Sequence, residues 1–127
     1  MGLDQYLFRK RKDDRRKELG TEVCYWRKAN QIRQWFVNNT SYPEDANCEK
    51  HLVTLEQLSQ LLTDCEDVLA HRDMAEDILP TSEGFFFGGL DYDDSYYSDI
   101  EYTRREISKI IEETDFDKED IYYYEWW

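Results

Sequence analysis

Residues 79–102 read LPTSEGFFFGGLDYDDSYYSDIEY, and how this stretch is read decides the fold. Phe85, Phe86 and Phe87 stand between Gly84 and the pair Gly88-Gly89. A continuous apolar run bounded by turn residues predicts a short buried strand or a tight packing loop. An acidic run loaded with tyrosine follows: Asp91, Tyr92, Asp93, Asp94, Tyr96, Tyr97, Asp99 and Tyr102. Asp93-Asp94-Ser95 puts carboxylates where a helix dipole favours them. A helix is therefore predicted over about 93–114, with Ile100, Ile107, Ile110 and Ile111 on its buried face. The Phe segment then has two readings. It is a core strand, or it is a loop that holds a ligand or partner against an aromatic, carboxylate-rich wall.

Upstream, Thr54 and Gln57 have the spacing of a capping box, and Val53 with Leu58 has that of a hydrophobic staple. Leu55, Leu58, Leu62, Cys65 and Leu69 continue at helical spacing, widened by Leu61 and Val68, so a helix is predicted over about 54–71. His51-Leu52-Val53 reads as a brief strand before it, and Met74–Leu79 as one more helical turn before Pro80. Further upstream, Tyr25, Ala29, Ile32 and Phe36 fall on one helical stripe with Trp26 and Trp35 at its flanks. Thr21 offers a cap, and Asn38 to Ser41 with Pro43 offer a stop, which predicts a helix over about 22–38. On that helix Trp26 and Asn30 are neighbours, with Arg33 beside them. A small-ligand pocket lined by Trp26, Asn30, Arg33, Phe87, Tyr92 and Tyr96 is the sharper reading of this edge, and a filled helix–sheet contact the plainer one.

At the ends, Leu3, Gln5 and Leu7 alternate with Asp4, Tyr6 and Phe8, which predicts a short strand. Ile121 to Trp127, IYYYEWW, predicts another, paired with the first or with a second copy of itself. Alternation sends only about half of its side chains inward. Tyr122, Tyr124, Trp126 and Trp127 are thus candidates for self-association. Arg9, Lys10, Arg11, Lys12, Arg15, Arg16 and Lys17 form a charge run, read as a solvated hairpin arm or as a patch for an anionic partner.

Composition bounds the function. The chain has 127 residues, enough for one domain with one core. Its formal charge is −13, yet residues 1–33 carry ten Lys/Arg against five acids. Such asymmetry predicts internal pairing or two surfaces with different partners, and opposes wrapping by nucleic acid. Cys24, Cys48 and Cys65 lack framework spacing and are expected as reduced thiols in a cytosolic setting. No stretch has the length and apolarity of a membrane span, and the start does not read as a signal peptide. Cys48 and His51 lack a second ligand pair for zinc. Asp115 to Asp120 resembles the opening of a calcium loop, but Asp120 and Trp126 stand where glycine and glutamate are needed. Neither His51 nor His71 has a convincing cluster, and no nucleophile or phosphate-loop motif occurs.

Several strings are distinctive: MGLDQYL (1–7), YWRKANQIRQWF (25–36), LPTSEGFFFGG (79–89), DYDDSYY (91–97) and IYYYEWW (121–127). Together they resemble a set of small proteins encoded by phages and prophages of Gram-positive bacteria, which begin MGLD-x-YL. A further likeness is to a lactococcal phage early protein that confers sensitivity to abortive infection. The resemblance carries no catalytic residues. It implies a phage product in the host bacterial cytoplasm, in contact with a host or anti-phage defence protein.

The expected architecture is a single α+β domain, 1–127. Three helices pack on a small antiparallel sheet made from the terminal segments and the Phe loop. The expected function is a non-enzymatic interaction protein, with no cofactor and no metal, forming a homodimer. The alternatives are a nucleic-acid-related protein (a basic-arm binder or an acidic DNA mimic) and a small-ligand pocket protein.

Overall fold

The computed structural model of the chain describes residues 2–84 and 88–127 and shows an α+β fold. Four strands form one antiparallel sheet: β1 (Asp4–Arg11), β2 (Thr21–Arg27), β3 (Lys50–Val53) and β4 (Glu119–Trp126), in the order β2-β1-β4-β3. The helices are α1 (Asn30–Asn39), α2 (Leu55–Ala70), the short α3 (Ala75–Ile78) after a 3-10 turn, and α4 (Asp94–Glu113). The terminal segments pair as expected, in register from Asp4 opposite Trp126 to Arg11 opposite Glu119. β4 is therefore an interior strand, with β3 on its other side. The Phe segment expected in the sheet falls on residues 85–87, outside the described residues. The described sheet instead takes β2 and β3 as its outer strands.

The largest departure from expectation is at 22–38. Residues 21–27, TEVCYWR, form a strand, and the helix begins only at Asn30. The stripe of Tyr25, Ala29, Ile32 and Phe36 matched a helical period by coincidence. Its first member is an exposed strand residue, while Cys24 and Trp26 point inward. β-branched and aromatic residues suit a pleated surface, and pairing with β1 outweighs local periodicity. Val23 is the extra residue of a bulge, because Leu7 faces Cys24 while Phe8 faces Glu22. Lys28, at φ 56, then breaks the strand direction. No side chain of α1 itself caps its start. Gln5 of β1 does so: its Oε1 accepts from the Ala29 N–H at 2.9 Å, and its Nε2 donates to the Ala29 carbonyl at 3.1 Å. Gly20, at φ 105, closes the β1–β2 hairpin where a Cβ would lie 2.5 Å from the Arg9 carbonyl oxygen.

The other helices start as predicted. Thr54 and Gln57 form both bonds of the capping box, at 3.1 and 2.9 Å. Asp93 caps α4 by accepting from Tyr96 N–H at 3.1 Å. The buried stripe of α2 is Leu58, Leu61, Cys65 and Val68, whereas Leu55 is exposed and Leu62 and Leu69 are only partly covered. This stripe meets Ile100, Ile107 and Ile110 of α4, and both helices lie on the inner sheet face with Leu7, Trp26, Ile121 and Tyr123. No described helix is long and apolar enough to cross a membrane.

Candidate functional site

Of the six residues expected to line one pocket, the five that the structure describes do not all come together. Trp26 lies in the core, where its Nε1 donates to Thr103 at 2.9 Å and its ring stands edge-on to Phe36. Arg33 is buried elsewhere, with its Nε 2.7 Å from Glu125 Oε2. Phe87 lies outside the described residues. Asn30, Tyr92 and Tyr96 do converge, and they act as fasteners. Asn30 donates to the Gly89 carbonyl at 2.8 Å and accepts from Ser82 N–H at 3.0 Å, holding two points of the 79–93 segment against α1. Tyr96 donates to the Leu79 carbonyl at 2.7 Å, and the Tyr92 ring packs edge-on to it at 4.9 Å. A cavity of about 180 Å³ remains beside them, lined by Lys28, Asn30, Gln31, Asp93, Tyr96 and Asp99 among others. Burial pushes the Asp99 carboxyl up to about 6 against a hydrogen bond from Gln31, and the nearby Asp93 adds to the rise.

Sequence reasoning missed a polar network in the core. Glu125 faces inward from β4. Besides Arg33, it accepts from Tyr123 O–H at 2.8 Å and from Trp127 Nε1 at 2.8 Å. Gln5 donates to the Tyr123 oxygen at 3.2 Å. Arg33 also donates to the Glu44 carbonyl, and its guanidinium lies 5.8 Å from the Trp127 ring centre. Asn47 holds the Trp127 backbone on both sides, donating to its carbonyl and accepting from its N–H at 2.9 Å. Trp127 is thereby committed to this network and leaves the self-association group. Strand alternation held the signal: Ile121, Tyr123, Glu125 puts a carboxylate on a buried face, and such a group needs a cation.

The basic run is largely satisfied within the chain. Arg9 reaches Glu119 at 3.5 Å, Arg11 Asp13 at 3.0 Å, Lys12 Asp120 at 2.8 Å and Arg16 Asp14 at 2.8 Å. The Lys10 ammonium donates to the Arg16 and Glu18 carbonyls. The Arg11 guanidinium holds the Asp13 carboxyl below its usual range. Residues 9–17 thus build a hairpin arm braced partly by its own acids and partly by Glu119 and Asp120 of β4.

The outer face of the sheet is different. Strand register aligns its side chains in rows. One row is Arg27, Asp4, Trp126, the next Tyr25, Tyr6, Tyr124, Lys50, and the third Glu22, Phe8, Tyr122, Leu52. The Tyr6 ring lies 5.5 Å from Phe8, 5.2 Å from Tyr25 and 6.1 Å from Tyr124. Lys50 sits 4.9 Å above the Tyr122 ring. Trp126 is 58% exposed, Leu52 47% and Tyr25 37%. Asp4 fixes one end of the face by accepting from Tyr25 O–H at 2.5 Å and from Arg27 at 2.7 Å. Burial raises its carboxyl, but those two hydrogen bonds win and hold it below its usual value. A recess of about 290 Å³ opens beside this end, lined by Gly2, Asp4, Arg27, Trp126 and Trp127. Of the expected self-association residues, Tyr122, Tyr124 and Trp126 belong to this face. Tyr6, Phe8 and Tyr25 join them, Tyr25 having been hidden by the helical reading of its segment.

Among the described residues no three His, Cys, Asp or Glu side chains gather as metal ligands. Compared with protein-family models, curated proteins and solved structures, the chain matches none.

Proposed function

We propose that the chain is a non-enzymatic phage early protein that acts in the bacterial cytoplasm by binding a host or anti-phage defence protein of the abortive-infection type. The observation that carries the interaction reading is the outer sheet face, where six aromatic side chains lie in contiguous rows and none of the described helices covers them. Tyr, Trp and Arg are the residue types that anchor interfaces. Contiguous apolar surface of this kind marks a docking site more often than a bare exterior. The phage setting rests on the resemblance of the quoted strings. The test is capture from phage-infected cells, comparing the natural chain with a Tyr25→Lys/Tyr124→Lys variant whose circular dichroism matches it. A partner held at constant stoichiometry by the natural chain and lost by the variant is expected. Equal capture by both would overturn the choice of surface.

Single-stranded nucleic acid is the second reading. Rings on a four-stranded antiparallel sheet beside a basic hairpin are the arrangement on which bases stack. Five of the nearby cations (Arg9, Arg11, Lys12, Arg16 and Arg27) already sit on carboxylates, which weakens this reading. Absence of binding to single strands at low salt would remove it.

A further inference from the structure

We propose that the occupant of the outer sheet face is a second copy of this chain, packed sheet to sheet about a two-fold axis. This rests on the reading of that face as an interface, and it names what covers the face in the free protein, so that a host protein docking there displaces the second copy.

Three observations favour a second copy. The first is charge. Residues 54–114, which contain α2, α3 and α4, hold sixteen carboxylates and four Lys/Arg. These helices line the inner face, so the acid excess lies on the side away from the rings. On the outer face Arg27 is paired with Asp4 and Lys12 with Asp120, Lys50 is drawn over Tyr122, and Glu22 stands exposed on β2, one carboxylate against one ammonium. Two copies meeting sheet to sheet keep their acidic layers at the far ends, the approach of least repulsion. The second is shape. Side chains from two facing sheets interdigitate across a gap of about 10 Å, and half-exposed rings standing in rows suit that spacing. The recess beside Trp126 gives such a packing a hole for a ring of the other copy. The third is size. Strands of eight, seven, four and eight residues, about 4.8 Å apart and rising about 3.3 Å per residue, project an area on the order of 430 Å². Side chains standing off the sheet raise the accessible area above that, towards the roughly 600 Å² per partner of a small specific interface. A two-fold axis lets one patch serve both subunits.

Sedimentation equilibrium of the natural chain at low and moderate salt, up to tens of micromolar, reads this out. A dimer that tightens with salt is expected, because salt screens the repulsion between two acidic molecules. Tyr124→Lys should weaken it roughly thirtyfold, the effect of losing one anchoring side chain. Should that variant fail to fold, Trp126→Lys, at the most exposed ring, decides instead. Cys48 gives an independent readout, since its side chain is exposed and borders Tyr124. Its alkylation should slow as the chain is concentrated. A natural chain that stays monomeric in both salts overturns the proposal, as does a dimer indifferent to Tyr124→Lys and Trp126→Lys. If the monomeric chain still captures a host protein through this face, the interaction reading stands and the second copy alone falls. If a face-dependent dimer forms and the face variants capture the host protein unchanged, the dimer stands and that protein binds elsewhere.

Discussion

Replacing Glu125 by Gln removes one of two buried charges and leaves the other. Arg33 and Glu125 have side-chain exposures of 3% and 0%, and their contact is 2.7 Å. The carboxylate accepts from three side chains: Arg33, Tyr123 and Trp127. An amide in its place offers one oxygen and turns an N–H₂ group towards donors that need an acceptor. The guanidinium keeps the Glu44 carbonyl but loses its counter-charge. Breaking a buried pair from one side costs about 3–5 kcal/mol. Against a total stability of about 5–15 kcal/mol, that is a large fraction. The expected melting temperature falls by roughly 15 °C, at about 4 °C per kcal/mol for a chain of this size. Removing both charges together, as Arg33→Met/Glu125→Leu, should cost only about 1–2 kcal/mol, because no ion is then left stranded. Urea unfolding of the natural chain, Arg33→Met, Glu125→Leu and the double variant closes the cycle; singles costing about 4 kcal/mol each against about 1.5 kcal/mol for the double give an expected coupling of about 6.5 kcal/mol. Single variants that each cost under about 1 kcal/mol, or a double variant equal to their sum, would refute the reasoning.

Asp99 gives a pH signature. Its folded value of about 6 lies above the ordinary 3.8, so the folded chain holds this proton more tightly than the unfolded one. Its contribution to stability is full below about pH 4 and is lost as pH rises through 6. Asp99→Asn should therefore gain stability over the natural chain at pH 7 and lose that advantage towards pH 4, read by urea midpoints; a constant difference across that window would contradict it. Thr54→Ala removes the capping box of α2 and should cost about 1 kcal/mol by the same assay, with no change in the slope of the transition. Of the three thiols, Cys24 and Cys65 are buried, and burial pushes Cys24 up to about 12 and Cys65 higher still. A disulfide reagent at pH 8 should titrate only Cys48 in the folded chain and all three in urea; fast reaction of a second thiol in the folded chain would show the core to be more open than described.

Some of this was legible from residues alone, for local reasons. Thr54 and Gln57 are three apart, and Asp93 adjoins the helix it caps, so neighbouring residues decide both starts. β1 and β4 are apolar and aromatic enough to be read as strands, but whether β4 pairs with β1 or with a second copy is decided only by the register. The segment 21–39 failed because two periods overlap in it. Its strand is fixed by β1, and its helix is capped by Gln5, which lies 24 residues before the Ala29 backbone it binds. The candidate pocket inherited that error, since Trp26 and Asn30 share a face only if one helix holds both. Arg33 and Glu125 lie 92 residues apart, and no periodicity reports a partner at that distance. The outer face was half visible: its β4 members stood out by composition, whereas Tyr6, Phe8 and Tyr25 became part of it only through strand register.

The strand order also sets a timetable. β1 and β2 form a hairpin from neighbouring sequence, but β1 meets β4 across more than a hundred residues, and β3 reaches the sheet only through β4. Contacts of such separation form slowly, because loop closure comes before any gain from pairing. During synthesis at roughly 5–20 residues per second, the free edge of β1 waits several seconds for its neighbour, with Tyr6 and Phe8 uncovered. An unpaired edge with exposed rings is an invitation to non-native pairing. The Arg11–Asp13 and Arg16–Asp14 pairs need nothing from β4, so charge at the end of β1 disfavours addition of another chain to that edge during the interval, while Arg9 and Lys12 still await Glu119 and Asp120.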